Sequence, residues 1–117
     1  MLSAMKISHA IDGDRITVRI REEIDGSACD CLEHFWDRFV SDPFSEVRVE
    51  MGGVDAIDSQ GVAQMVTLLR RNLAEGACLV LDAPPQVLAH TLYKVGLLEP
   101  GQRVALLNAR SEEPYAG

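Results

Sequence analysis

The stretch Val54-Asp55-Ala56-Ile57-Asp58-Ser59-Gln60-Gly61-Val62 decides how this chain is read: as the end of a strand, a sharp turn carrying Asp58-Ser59, and the start of a helix. After Gly61, apolar residues fall at Val62, Met65, Val66, Leu69 and Leu73, the recurrence of one buried helix face. Gln60, Gln64, Thr67, Arg70, Arg71, Asn72 and Glu75 are assigned to the wet side. Asp58 or Ser59 can cap the first turn, because each offers a side-chain oxygen to amides without an intrahelical partner. Gly76 closes the helix at the position just beyond its last turn. Ser59 then stands at a positive helix end, beside a glycine with no side chain to shield it. Exposed amides and the helix dipole both favour added negative charge there, which suits a phosphate. Spacing alone favours a plain cap over a phosphoacceptor, since most serines at helix N-termini only cap.

Upstream, Lys6 to Ala10 reads as a short strand, and Asp12-Gly13-Asp14 is the signal for an antiparallel hairpin. Arg15 to Arg21 alternates strictly, placing Ile16, Val18 and Ile20 on one face and Arg15, Thr17, Arg19 and Arg21 on the other. Ala28, Leu32, Phe35, Trp36 and Phe39 recur at helical spacing through Val40, with Ser27 as cap and Asp30 completing a capping box. The aromatic residues on that stripe favour core over cofactor contact. Ser41-Asp42-Pro43 ends the helix. Glu46 to Met51 alternates again, with Val47, Val49 and Met51 joining the apolar face and Arg48 and Glu50 set to pair across the wet one. Strands covered on both faces are continuously apolar, and these two are not, so helices are expected on one face of the sheet only.

Downstream of the Ser59 helix, Ala77 to Leu81 is a continuous apolar run ending at Asp82 and reads as a central strand. Pro84-Pro85 opens another helix, with the second proline in its first turn and Val87, Leu88, Thr91, Leu92 and Val95 turned inward. Gly96 stops that helix, Leu97 and Leu98 tuck into the core, and Val104 to Leu107 is a last strand. The expected organisation is one domain over residues 1–117, with a core of about residues 5–108 and a flexible polar tail at 109–117.

At 117 residues and 47% apolar content the chain can bury a core of its own, and disorder is excluded as its overall state. A net charge of −7 opposes binding to a nucleic-acid backbone. No apolar run is long enough for a membrane span and no secretory leader pattern is seen, so a cytoplasmic protein without membrane insertion is expected. Three cysteines, at 29, 31 and 78, form no C-x-x-C pair, and reduced, mostly packed thiols are expected rather than a disulfide or zinc site. His9, His34 and His90 share no spacing with a carboxylate and a nucleophile. Cys31 and His34 lie three apart on a helix, but a cysteine nucleophile also needs thiolate stabilisation and an oxyanion hole. Gly52-Gly53 lacks the downstream glycines and lysine of a phosphate-cradling loop. The reading is therefore a non-enzyme with no catalytic residues, no metal and no cofactor.

With those residues laid out, the chain from Arg15 to about Leu98 resembles the STAS family, the anti-sigma factor antagonists and their relatives. The resemblance is carried by a strand followed by the Asp58-Ser59-Gln60-Gly61 turn and helix. Glu75-Gly76 before an apolar strand, Pro84-Pro85 and Val95-Gly96-Leu97-Leu98 follow in the expected order. It implies an α/β, STAS-like single domain, with a mixed sheet of four to five strands and helices packed mainly on one face. It further implies that Ser59 matches the serine phosphorylated by a cognate anti-sigma kinase, with Asp58 its acidic neighbour and Asp25 an acidic loop residue nearby. The partner-binding surface expected on this basis is Asp25, Asp58, Ser59, Gln60, Gly61 and Gln64. Glu22, where glycine is common in the family, and Gln60, where a small residue is common, depart from the pattern. The implied function is an anti-sigma factor antagonist-like regulator that binds a serine kinase and is switched off at Ser59. The alternative is a non-catalytic, MlaB-like accessory subunit bound to the ATPase of a lipid-transport ABC system.

Overall fold

The computed structural model describes residues 6–109, and the hairpin signal produces its first feature. Strand β1 (Ile7–Asp12) turns through Gly13 and Asp14 into β2 (Arg15–Ile20), pairing antiparallel with Asp12 opposite Arg15. Gly13 sits at φ +66°, a conformation that two-residue hairpins demand and that glycine adopts without steric cost. Strands β3 (Glu46–Glu50), β4 (Cys78–Asp82) and β5 (Val104–Leu107) follow in parallel, giving a five-stranded mixed sheet in the order β1-β2-β3-β4-β5.

Helices α1 (Cys29–Phe35), α2 (Ser59–Ala74) and α3 (Gln86–Lys94) each connect one parallel strand to the next. Because the strand order advances in one direction, crossovers of the same hand all fall on one side of the sheet. That side holds the core. Ile16, Val18, Ile20, Val47, Val49, Leu79 and Leu81 are buried beneath the helices with Leu32, Trp36, Met65, Leu68, Leu69, Leu88 and Leu92. The opposite face carries charge, and Arg19 meets Glu50 of the neighbouring strand at 2.8 Å. Both side chains of that pair are partly exposed, so it adds little stability, about 0–1 kcal/mol. Arg48 does not share in such pairing: its Nε is buried without a hydrogen-bond partner among the described residues.

Several expectations change in detail. Asn72, assigned to the wet side of α2, is 2% exposed. Its Oδ1 accepts from Trp36 Nε1 at 2.8 Å and its Nδ2 donates to the Val40 carbonyl at 3.1 Å. The need for it arises because α1 runs on into a π-turn (Trp36–Val40), whose last carbonyls lack intrahelical donors. Leu68 is likewise fully buried, while Val66 and Leu73 are only half-buried. In α3 only Leu88 and Leu92 are buried. Val87 and Val95 are exposed, because the nine-residue helix meets the core along a narrow stripe. Pro84 and Pro85 both precede that helix, with Pro85 at the cap position. Cys31 and Cys78 are exposed and Cys29 half-buried, so the thiols are not mostly packed. Cys78 leaves the core because β4 alternates on the sheet's open side. The polar end from 110 to 117 lies outside the described residues.

Candidate functional site

The candidate site is a corner where two loops are zipped together. Ile24 and Ile57 form an isolated parallel bridge, with Ile24 N donating to the Ala56 carbonyl at 3.0 Å and Asp58 N to the Ile24 carbonyl at 3.1 Å. This short ladder brings Asp25 and Asp58, far apart in sequence, to adjacent positions.

Asp58 takes an extended backbone conformation and is the cap of α2. One of its oxygens accepts from Gly61 N at 2.8 Å, and the other accepts from Gly26 N at 3.2 Å, so a single carboxylate starts the helix and ties down the facing loop. Asp25 has the same task on the other loop. Its Oδ1 accepts from Ser27 N at 2.9 Å, Ser27 Oγ at 2.6 Å and Ala28 N at 3.2 Å, capping a 3-10 turn (Gly26–Ala28) that leads into α1. The expected Ser27 cap is thus replaced by Asp25, because a 3-10 turn precedes α1 and moves the start of helical structure upstream. The Ser27 hydroxyl, the main influence, outweighs the opposing effect of desolvation and, helped by the loop amides, holds the Asp25 carboxyl below the ordinary aspartate range.

Ser59 is the first residue of α2 and is exposed. With Asp58 as the cap, its hydroxyl makes no hydrogen bond among the described residues. Gln60 is also exposed and lies across Gly26, where any added Cβ would collide with the glutamine amide. Gln64 follows one turn on, half-buried. Gly26, Cys29, Gln60, Ala63, Gln64 and Thr67 line a shallow groove of about 320 Å³ beside Ser59.

Gly61 has a different part from the one expected. It is buried, and a Cβ there would meet the Ile24 carbonyl at 2.5 Å and Ile24 Cγ2 at 2.8 Å. It lets α2 approach the facing loop and is not surface that a visitor touches. Cys29, missed by sequence reasoning, sits at the heart of this corner, its Sγ within 3.6 Å of the Gln60 carbonyl. Burial pushes its thiol pKa up, and the charges of Asp58, Asp30 and Asp25 push it further. That is the opposite of what a nucleophilic thiolate requires. Its position four residues after Asp25 was visible in the sequence, but the loop pairing that encloses it was not.

The chain belongs to the STAS domain family: the family described as "Mlab, STAS domain" matches residues 7–107. No curated protein sequence matches it. Among solved structures it is similar to a candidate anti-sigma factor antagonist from Thermotoga maritima, at 18% identity and TM-score 0.68 over 91% of this chain and 89% of that one. It is similar to a glutamate-for-serine variant of RsbS from Moorella thermoacetica, at 20% identity and TM-score 0.63 over 86% of each chain. The unphosphorylated anti-sigma factor antagonist SpoIIAA aligns at 18% identity and TM-score 0.59, over 93% of this chain and 92% of its own. At such identities the likeness is one of fold.

Proposed function

We propose that this protein is a cytoplasmic, non-catalytic docking regulator of the anti-sigma factor antagonist kind, which binds a serine kinase and is released from it by phosphorylation at Ser59. The observation that carries this reading is the division of labour at the start of α2. Asp58 satisfies the helix amide, so the Ser59 hydroxyl is left exposed and, among the described residues, unengaged.

The energetics favour a switch in binding over a switch in folding. A phosphate brings about 1.5 to 2 negative charges. The helix N-terminus welcomes it by about 0.3–1 kcal/mol. A surface carboxylate a few ångströms away, as Asp58 is placed to supply, opposes each charge by about 1 kcal/mol in water. The net cost within the domain is about 1 kcal/mol, a small part of a domain's stability, so the fold persists, while a partner fitted to a neutral hydroxyl meets a dianion. A coupling in the usual range lowers affinity about 5- to 150-fold. Asp25, Asp58, Gln60 and Gln64 frame the surface on which the kinase rests, and Gly61 supports it from below.

The test is incubation with the cognate kinase and ATP, followed by intact mass and peptide mapping. One phosphate on Ser59, absent in Ser59→Ala, is expected; phosphate at another residue, or its persistence in that variant, defeats the reading. Ser59→Asp should weaken kinase binding within the range above and leave the melting temperature nearly unchanged.

A second reading is favoured by the description of the matching family, which names Mlab. In it the Gln60–Gln64 groove is a constitutive seat for the ATPase of a lipid-transport ABC system and Ser59 is never modified. Co-purification distinguishes them: a transporter ATPase retained equally by the native chain and Ser59→Asp supports this second reading.

A further inference from the structure

Strand β1 is an edge, and an edge strand offers unpaired peptide groups to any passing strand. Proteins usually blunt such edges with charges, prolines or bulges. Between Lys6 and Asp12, β1 has none of these: Ile7, Ser8, His9, Ala10 and Ile11 are uncharged, and the six residues of the strand pair with β2 without interruption.

The direction of the free groups follows from the hairpin. Arg21 N donates to the Lys6 carbonyl at 2.9 Å, and antiparallel pairs alternate between bonded and non-bonded. Ser8, Ala10 and Asp12 therefore spend their peptide groups on β2, and Lys6 spends its own just beyond it, the carbonyl on Arg21 N and the amide on Glu22 Oε1 at 2.7 Å, while those of Ile7, His9 and Ile11 point outward. A strand adding to this edge in antiparallel sense must match that outward parity.

We propose that the partner which fits this edge is a second copy of the chain, pairing β1 with β1 about a two-fold axis through His9. Reversed upon itself in that register, the segment Lys6-Ile7-Ser8-His9-Ala10-Ile11-Asp12 sets apolar against apolar and, at its ends, cation against anion. Ile7 falls opposite Ile11 of the second copy and His9 opposite His9, all residues whose outward peptide groups meet no other strand among the described residues. Ser8 falls opposite Ala10. Lys6 meets Asp12 of the second copy twice, once on each side of the axis. Sliding by two residues in either direction keeps the parity but loses both Lys6–Asp12 pairs. Ile11, 54% exposed in the single chain, gains the other copy's Ile7 as a neighbour on the helix-covered side of the sheet. The chain's net charge of −7 opposes any self-association, yet within this segment one cation and one anion cancel. The two five-stranded sheets become one continuous sheet.

This edge shares no residue with the Ser59 corner, so it stands apart from the reading above. The test is sedimentation of the full chain over a concentration series from low micromolar to submillimolar, with circular dichroism to verify that each variant folds. A reversible dimer is expected. Asp12→Lys turns two attractive cross-strand pairs into two repulsive ones and should weaken the dimer about tenfold or more. Combining Lys6→Asp with Asp12→Lys should restore it. Ile11→Pro removes one outward N–H from each copy without touching the bonds to β2, and should abolish the dimer. If that variant does not fold, the charge exchange decides alone. A chain that is monomeric throughout overturns the proposal, as does a dimer indifferent to Asp12→Lys or one that the exchange fails to rescue.

Discussion

Near its C-terminal end α2 is anchored by Asn72, an amide sealed in the core between Trp36 and the Val40 carbonyl, whereas its N-terminal end is held by Asp58, a carboxylate open to water. Beyond Asn72, Arg103 donates to the Leu73 carbonyl in the last turn at 2.8 Å and to the Gly76 carbonyl just past the helix at 2.9 Å. Both ends satisfy the same kind of need with hydrogen bonds of similar length. The difference lies in the surroundings. An unpaired group in the core bears its full desolvation penalty, while one at the surface finds water. A charge can therefore be added at the N-terminal corner with little effect on folding, and nothing can be changed at Asn72 without disturbing the core. The buried anchor and the exposed corner that tolerates added charge are separated along one helix of sixteen residues.

The largest effect that this comparison predicts belongs to Asn72→Leu. The new side chain suits the buried site in size but leaves the Trp36 indole N–H and the Val40 carbonyl unpaired, at about 1–3 kcal/mol for each group. Urea unfolding should show a loss of about 2–6 kcal/mol, a large fraction of the margin of a domain this size. A loss below about 1 kcal/mol would mean that water reaches these groups, and the contrast between the two ends would fail. Next in size is Gly61→Ala. Its Cβ has only 2.5 Å to the Ile24 carbonyl, so either α2 or the Ile24 loop must withdraw. Overpacking of this kind costs about 1–3 kcal/mol. The amide of Asp58, which donates to that same carbonyl, should show it first by faster hydrogen exchange. An unchanged midpoint and unchanged exchange would show that the corner is loose, and the placement of Ser59 would need another cause.

Much of this could be read along the chain because it rests on local patterns. The alternation in β2 and β3, the Gly13 turn, the stripe through Val62, Met65 and Leu69, and the stop at Gly76 are each set by residues a few positions apart. The open side of the sheet was legible for the same reason, from the charged half of two alternating strands. Asn72 was not. Its partners lie 36 and 32 residues away, and a polar residue on a helix is by default assigned to water. The spacing did hold a signal, since Met65, Leu68, Leu69 and Asn72 continue one buried stripe, so its environment is apolar even though its chemistry is not. The Asp25 cap was hidden by the 3-10 turn, which shifts the first helical amide away from the position that capping rules assume. At the site, Asp58 and Ser59 could be placed at the helix start from sequence. Which of them caps depends on a turn geometry that residue type alone leaves open, and that choice decides whether Ser59 is spent or available.

The smallest expected effect is therefore the most informative. Ser59→Ala removes a hydroxyl that holds no bond among the described residues, from an exposed position where alanine is the better helix former. Its effect on stability should fall within about 0.5 kcal/mol in either direction, the usual range for a surface substitution without a structural role. Removing a true cap would instead cost about 0.5–2 kcal/mol, and Asp58→Ala, measured alongside, provides that scale in the same helix. If Ser59→Ala falls with Asp58→Ala, the hydroxyl serves the helix, and the division of labour between Asp58 and Ser59 fails. If the two separate as expected, the exposed oxygen contributes nothing to the fold that needs it kept. Any loss of partner binding or of phosphate uptake in Ser59→Ala then reports on the surface itself and not on a weakened domain.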